Sequence, residues 1–178
     1  MDEQEKLSIL TKVFDNHQSL IANADNKANI SLGIQIFLIT SVSGASIIVS
    51  TYNRIANLSC LTQTLYHVLF ALFLVFSVIG LAFCILVFRP RPPQEREELR
   101  RQGITYFGHI VRFKNSLEYL SAIEKIERID LVKEFAFQNY NLALIVYHKM
   151  KYVKVSIIFL FINILLAVSL LIFSIVTR

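Results

Sequence analysis

Residues 65–88 read LYHVLFALFLVFSVIGLAFCILVF and contain no charged side chain. About 20 mostly apolar residues are enough for a helix to cross the hydrocarbon core of a bilayer. Residues 30–50 and 155–176 are also free of charge and meet the same length requirement. Hydrophobic residues make up 54% of the 178, and Gly and Pro are few. The sequence therefore predicts an all-α integral membrane protein with three transmembrane helices.

The distribution of basic residues predicts how the chain is oriented, because Lys and Arg near span ends stay in the cytoplasm. Residues 89–154 contain thirteen Lys and Arg residues, whereas the short loop 51–64 contains only Arg54. We expect the N terminus and residues 89–154 to be cytoplasmic, and the loop 51–64 and the C terminus to be periplasmic or external. The net charge of +5 follows from this bias, so we expect no nucleic-acid partner.

The cytoplasmic parts are predicted to be helical. In residues 1–29, apolar side chains recur at steps of three and four, which indicates an amphipathic helix continuous with the first span. In residues 89–154, Asn115 and Glu118 have the spacing of a capping box and predict a helix start. That helix is expected to run to about Glu127 and to turn four apolar side chains inward, those of Leu117, Leu120, Ile123 and Ile126. Asp130 is predicted to cap a last helix that continues through the third span.

A charged cluster, Ala-Asp-Asn-Lys-Ala, occupies residues 24–28 just before the first predicted span. A carboxylate and an ammonium at the edge of hydrocarbon are costly unless they pair, reach water or face a protein interior. Two interpretations remain open at this point. The cluster either marks the edge of the membrane, or Asp25, Asn26 and Lys27 form a switch or interface site.

The sequence shows no catalytic constellation. The four histidines and two cysteines do not fall at metal-ligand spacing, and no phosphate-binding glycine loop or nucleophile motif occurs. We expect no enzyme activity, no metal and no cofactor. Basic side chains near an aromatic-glycine segment could hold a small phosphate-bearing ligand by charge and stacking, although a charged loop beside core aromatics would look the same. These candidate nucleotide-binding residues are Tyr106, Phe107, His109, Arg112 and Lys114.

A homo-oligomer is expected for two reasons. The 66 residues from 89 to 154 are too few to form a stable core easily. Small or polar residues four positions apart in the spans, such as Thr40 with Gly44, would also let helices approach closely.

The cluster at 24–28, the run Tyr-Phe-Gly-His-Ile at 106–110, Tyr119 in a Leu117–Leu120 helix and Lys151-Tyr152 before the last span together resemble the transmembrane effectors of Pycsar antiphage systems. The resemblance covers nearly the whole chain. It implies a bacterial inner-membrane protein encoded beside a pyrimidine nucleotide cyclase. Such a protein would bind cyclic CMP or cyclic UMP and impair the membrane in abortive infection.

A different class of function is a constitutive small membrane channel or scaffold without a nucleotide ligand. Pore-lining helices usually carry polar residues on one face, and the spans offer few candidates, among them Gln35, Thr40, Ser43 and Asn163. An open pore is therefore not plain in the sequence.

Overall fold

The computed structural model describes residues 2–44, 59–89, 103–105 and 107–176. Helices account for most of these residues, and no strand occurs among them. The helices are α1 (Glu3–Val42), α2 (Cys60–Phe88), α3 (Phe107–Ile110), α4 (Ser116–Lys125) and α5 (Arg128–Val176). The prediction of an all-α chain is confirmed for this part of the sequence.

Two helices are much longer than the others. At 1.5 Å per residue, the 40 residues of α1 extend about 60 Å and the 49 residues of α5 about 74 Å. Neither helix contains a proline, because all three prolines lie between residues 90 and 93. An α-helix without proline keeps its ladder of backbone hydrogen bonds, so nothing in these sequences forces a break.

The start of α5 differs from the prediction made for Asp130. The carbonyl of Glu127 accepts hydrogen bonds from the N–H groups of Asp130 (3.0 Å) and Leu131 (3.1 Å), and α5 begins at Arg128. Asp130 therefore lies inside the first turn, where its carboxylate pairs with Lys133 at 3.0 Å. The prediction that Asp130 caps the helix was wrong, because the helix begins at Arg128, two residues before Asp130.

Among the described residues, two helices, α2 and α5, are long and apolar enough to cross a membrane, judged by length and composition. Each contains an 18-residue window with a mean hydropathy of 2.9. Only 22% of the window in α2 and 28% of that in α5 is buried. A core helix of a soluble protein would be mostly buried, so the low values favour helices that face lipid.

Parts of four predicted segments lie outside the described residues. These parts are residue 1 of the N-terminal segment, residues 45–50 of the first span, residues 51–58 of the external loop, and residues 90–102 and 106 of the cytoplasmic region. Within the described residues, α1 continues without interruption from the amphipathic segment to Val42.

The chain divides into two compact units. The first unit consists of Met1–Asn23 with Pro90–His148, and the second of Ala24–Arg89 with Lys149–Arg178. Both α1 and α5 contribute residues to each unit.

In the second unit, three helical segments from α1, α2 and α5 pack around two apolar clusters. The Ala24 cluster consists of Ala24, Ala28, Val87 and Val153. The Phe73 cluster consists of Val42, Phe73, Ala167 and Leu170. Alanine side chains let helix backbones approach closely, which is how helices in membranes gain packing energy.

Gly80 of α2 provides another close approach in the second unit. A Cβ atom at this position would lie 2.7 Å from Oε1 and 2.9 Å from Nε2 of Gln35, which is 1% exposed. The Gln35 amide therefore occupies the space that any larger residue at position 80 would need. A Cβ atom at Gly33 of α1, by contrast, would have no neighbouring atom within 4 Å.

In the first unit, the N-terminal half of α1 packs on the beginning of α5. The rings of Phe14 and Phe135 meet edge to face at 6.1 Å between centroids. Nδ2 of the buried Asn139 donates a hydrogen bond of 2.8 Å to the carbonyl of Leu10. A hydrogen bond and an aromatic pair thus fix the register of the two helices.

The short helix α4 starts as predicted but does not bury the predicted face. Oδ1 of Asn115 accepts a hydrogen bond of 2.8 Å from the N–H of Glu118, whose carboxylate accepts one from the N–H of Lys114, also at 2.8 Å. Leu117 is 73%, Leu120 50% and Ile123 40% exposed, so the expectation of inward-facing side chains was wrong for these three, whereas Ile126 is half-buried. Periodicity identified the apolar face, whereas the packing leaves that face uncovered.

The substitution Gly80→Ala is expected to lower the thermal midpoint of unfolding, because the added methyl group displaces the Gln35 amide. In the double variant with Gln35→Ala the obstacle is gone, so the two changes should show a coupling of about 1 kcal/mol. Thermal unfolding in detergent micelles measures both effects. Gly33→Ala is the matched control and should not lower the midpoint; additive effects of Gly80→Ala and Gln35→Ala would contradict the assigned contact.

Candidate functional site

The charged cluster at residues 24–28 contributes one side chain to an ion pair. Nζ of Lys149 on α5 donates a hydrogen bond to Oδ1 of Asp25 on α1. The Lys149 side chain is only 12% exposed and the Asp25 side chain 33%. A pair this sheltered is screened less by salt than one on an open surface. It therefore ties α1 to α5 within the second unit.

The alanines on either side of Asp25 explain how the pair forms. Ala24 and Ala28 are 0% and 1% exposed and contact Val87 and Val153 in the Ala24 cluster. Larger residues at these two positions would hold α1 away from its neighbours. The small side chains bring the helices close enough for the carboxylate to reach the ammonium of Lys149.

The other two predicted switch residues lie elsewhere on the helix surface. Asn26 and Lys27 are exposed, and neither takes part in the Asp25–Lys149 pair. Sequence reasoning did not identify Lys149 as the partner of Asp25. One signal could have found it: Asp25 and Lys149 precede the apolar stretches 30–50 and 155–176 by five and six residues, so they lie at similar depth.

In the first unit, Glu134 of α5 holds the segment that precedes α3. Oε1 accepts hydrogen bonds from the backbone N–H of Thr105 at 2.8 Å and from its hydroxyl at 2.5 Å. Oε2 accepts one from the N–H of Ile104 at 3.2 Å. The hydroxyl of Tyr119 donates to the carbonyl of Ile104 at 2.8 Å. One carboxylate and one phenol thus connect this segment to two helices.

A larger residue at Gly103, at the start of this segment, would displace two side chains. A Cβ atom there would lie 2.5 Å from Oε1 of Glu134 and 2.7 Å from Nδ1 of His109. The imidazole of His109 and the carboxylate of Glu134 therefore both border the backbone of Gly103. Gln138, one turn after Glu134, adds a hydrogen bond from Nε2 to the hydroxyl of Thr105.

The structure places the predicted nucleotide-binding residues as follows. His109 is half-buried in α3, and the N–H of Arg112 donates to the carbonyl of His109 at 3.0 Å. The side chains of Arg112 and Lys114 are exposed. Tyr106 and the side chain of Phe107 lie outside the described residues. Two exposed cations and an imidazole thus follow one tightly held segment.

Sequence reasoning missed the residues that hold this segment, Thr105, Tyr119, Glu134 and Gln138. Glu134 and Gln138 are four residues apart and share one face of α5, which is the spacing of side chains that can act together. That spacing alone does not reveal which segment they face. Among the described residues, no group of three or more His, Cys, Asp or Glu side chains could hold a metal ion.

No curated protein and no solved structure matches the chain. Residues 9–176 match the protein family described as the Pycsar effector protein domain. The match includes α1 from residue 9 onward and α2 to α5 in full, and α2 and α5, the described helices that are long and apolar enough to cross a membrane, lie within it. The chain therefore belongs to the Pycsar effector protein domain family, whose members are antiphage effectors.

Proposed function

We propose that this effector is activated by a cyclic pyrimidine mononucleotide, cyclic CMP or cyclic UMP, and then impairs the bacterial inner membrane. A pyrimidine nucleotide cyclase supplies the nucleotide on infection, and the cell stops growing before phage mature. The match over residues 9–176 carries this proposal, because it includes the apolar helices together with the cytoplasmic candidates. The role is non-enzymatic.

The proposed membrane arrangement has three spans. The first comprises residues 30–50, the second lies in α2 and the third in the C-terminal half of α5. Support comes from the second unit, where α1 packs with both apolar helices. The N terminus and residues 89–154 are cytoplasmic and the C terminus is periplasmic, as the Lys and Arg distribution predicts.

The proposed nucleotide site lies around α3. The cationic side chains of Arg112 and Lys114 suit the cyclic phosphate, His109 can donate a hydrogen bond, and Tyr106 and Phe107 supply aromatic faces for the base. The segment tied down by Glu134 supports this assignment, because a fixed backbone lowers the entropy that a ligand must overcome on binding.

The proposed switch is the ion pair between Asp25 and Lys149, with Asn26 and Lys27 on the adjacent surface. A ligand shifts a conformational equilibrium only by binding one arrangement more tightly than the other. A full change from 1:99 to 99:1 requires about 5.5 kcal/mol of such difference, and several sites in a homo-oligomer could share it. The pair stabilises the ligand-free packing of α1 against α5.

The ligand is tested by thermal unfolding of the detergent-solubilised chain with cyclic CMP, cyclic UMP and cyclic AMP. One pyrimidine nucleotide should raise the midpoint and cyclic AMP should not, because a ligand stabilises the state that it binds. Arg112→Ala should lower the affinity for the stabilising nucleotide about tenfold, which corresponds to a loss of about 1.4 kcal/mol in binding free energy. Lys125→Ala, an exposed cation on α4, is the control. No shift with either pyrimidine nucleotide would favour the constitutive channel or scaffold.

The role of Glu134 is tested with Glu134→Gln, which removes an acceptor oxygen from the bonds to Ile104 and Thr105. We expect weaker nucleotide binding with a smaller change in thermal midpoint, because the loss loosens one segment of the first unit. Isothermal titration measures the binding. Glu124→Gln, an exposed glutamate on α4, should bind as the unchanged chain does; equal weakening in both variants would contradict the anchoring role.

The switch is tested in bacteria that express the chain without a cyclase. Asp25→Asn and Lys149→Met should each increase growth inhibition about fivefold, because losing about 1 kcal/mol from the ligand-free packing shifts its population by that factor. The exchange Asp25→Lys with Lys149→Asp should restore the low inhibition. Lys27→Met is the control, since Lys27 is exposed. Unchanged growth in both single variants would contradict the switch and favour the other interpretation, in which Asp25 only marks the edge of the membrane.

A further inference from the structure

The interior of the second unit contains a group of buried polar side chains, here called the polar section. Its members are between 0% and 3% exposed. In a helical bundle that faces lipid, buried polar residues are costly and mark functional paths. The polar section consists of Ser31, Gln35, Ser77, Cys84, Ser156 and Asn163.

Part of the polar section is held together by hydrogen bonds. The hydroxyl groups of Ser31 and Ser156 lie 2.9 Å apart, and Sγ of Cys84 lies 2.9 Å from Oγ of Ser156. Nε2 of Gln35 donates a longer bond of 3.4 Å to Oγ of Ser31. This end of the polar section connects α1, α2 and α5.

The rest of the polar section has hydrogen-bonding capacity that the protein does not use. Neither amide atom of Asn163, a residue only 1% exposed, has a hydrogen-bond partner, and Oε1 of Gln35 has none. An apolar residue of similar size would avoid this cost at position 163. The amide of Asn163 is therefore not needed for packing, and water is the partner that such a group accepts.

An apolar cluster closes the polar section at each end. Along every one of the three helices, the polar residues lie between a member of the Ala24 cluster and a member of the Phe73 cluster. On α1, for example, Ser31 and Gln35 fall between Ala28 and Val42. Narrow apolar constrictions exclude water and block ions until they widen.

We propose that the polar section is the ion path of this effector: it holds water and conducts small monovalent ions when the two apolar clusters separate. The proposal rests on the proposed function, because it names the route by which the membrane is impaired. All six side chains are neutral, so the path does not select ions by the sign of their charge. The Phe73 cluster acts as one gate and the Ala24 cluster as the other.

Cys84 is a built-in reporter for water in the polar section. The chain has two cysteines, so Cys60→Ser leaves Cys84 as the sole thiol. A cationic methanethiosulfonate reagent reacts with the thiolate, which forms only where water reaches the sulfur. In phosphatidylethanolamine and phosphatidylglycerol vesicles, with reagent on both sides, Cys84 should stay unlabelled without nucleotide.

Opening one gate by mutation makes the test independent of any nucleotide. Phe73→Ala should speed Cys84 labelling at least about tenfold, because the reagent can then enter the polar section past the Phe73 cluster. Phe76→Ala is the matched control, because Phe76 pairs with Phe159 outside the Phe73 cluster. If Phe73→Ala does not fold, Leu170→Ala serves instead, because it shortens a different side chain of the same cluster. Labelling no faster than in Phe76→Ala would overturn the proposal.

Asn163→Leu provides a second measurement on the same path. It should raise the thermal midpoint, because an unpaired buried amide is lost. It should also slow Cys84 labelling in Phe73→Ala vesicles about tenfold, because Asn163 lies on α5 between Ala167 of the Phe73 cluster and Ser156, the partner of Cys84. Asn139→Leu is the stability control and should lower the midpoint, because Asn139 donates to Leu10. A lower midpoint or unchanged labelling with Asn163→Leu would overturn the proposal. If cyclic CMP or cyclic UMP causes efflux while Cys84 remains unlabelled, the proposed function holds and the path proposed here is wrong.

Discussion

The close approach of three helical segments in the second unit is the constraint on which its other features depend. Ala24, Ala28 and Gly80 have little or no side chain at the points of contact, so neighbouring helices fill that space. This proximity brings Asp25 to Lys149 and lays the Gln35 amide against α2. In lipid, where water offers no hydrophobic force between apolar helices, such packing supplies the association energy. The ion pair and the polar section are consequences of it.

The polar section gives this packing an unusual composition. Ser31, Cys84 and Ser156 form hydrogen bonds with one another, while the amide of Asn163 has no hydrogen-bond partner. A bundle selected only for stability would replace that amide with a hydrocarbon side chain. Natural proteins keep such costs mainly where function requires them. The proposed ion path thus accounts for a feature that the fold itself does not need.

The first unit depends on a different kind of interaction. A single carboxylate, Glu134, receives three hydrogen bonds from Ile104 and Thr105, and Tyr119 adds a bond to the same segment. Backbone groups so fixed hold α3 and its His109 in a defined place. The side chains of Arg112 and Lys114, which follow α3, are exposed. The proposed nucleotide site would therefore be built on a backbone that Glu134 and Tyr119 hold in place.

The sequence by itself determined the helical class, the two apolar helices and the start of α4, because these follow from composition, length and the local spacing of Asn115 and Glu118. It also singled out Asp25. Only the tertiary structure decided that Asp25 pairs with Lys149, that Glu134 holds residues 103–105 and that Leu117 is exposed. Helical periodicity identifies the residues that share a face, but not the element that covers it. Asp25 and Lys149 are 124 residues apart, and no local pattern connects them until packing brings α1 against α5.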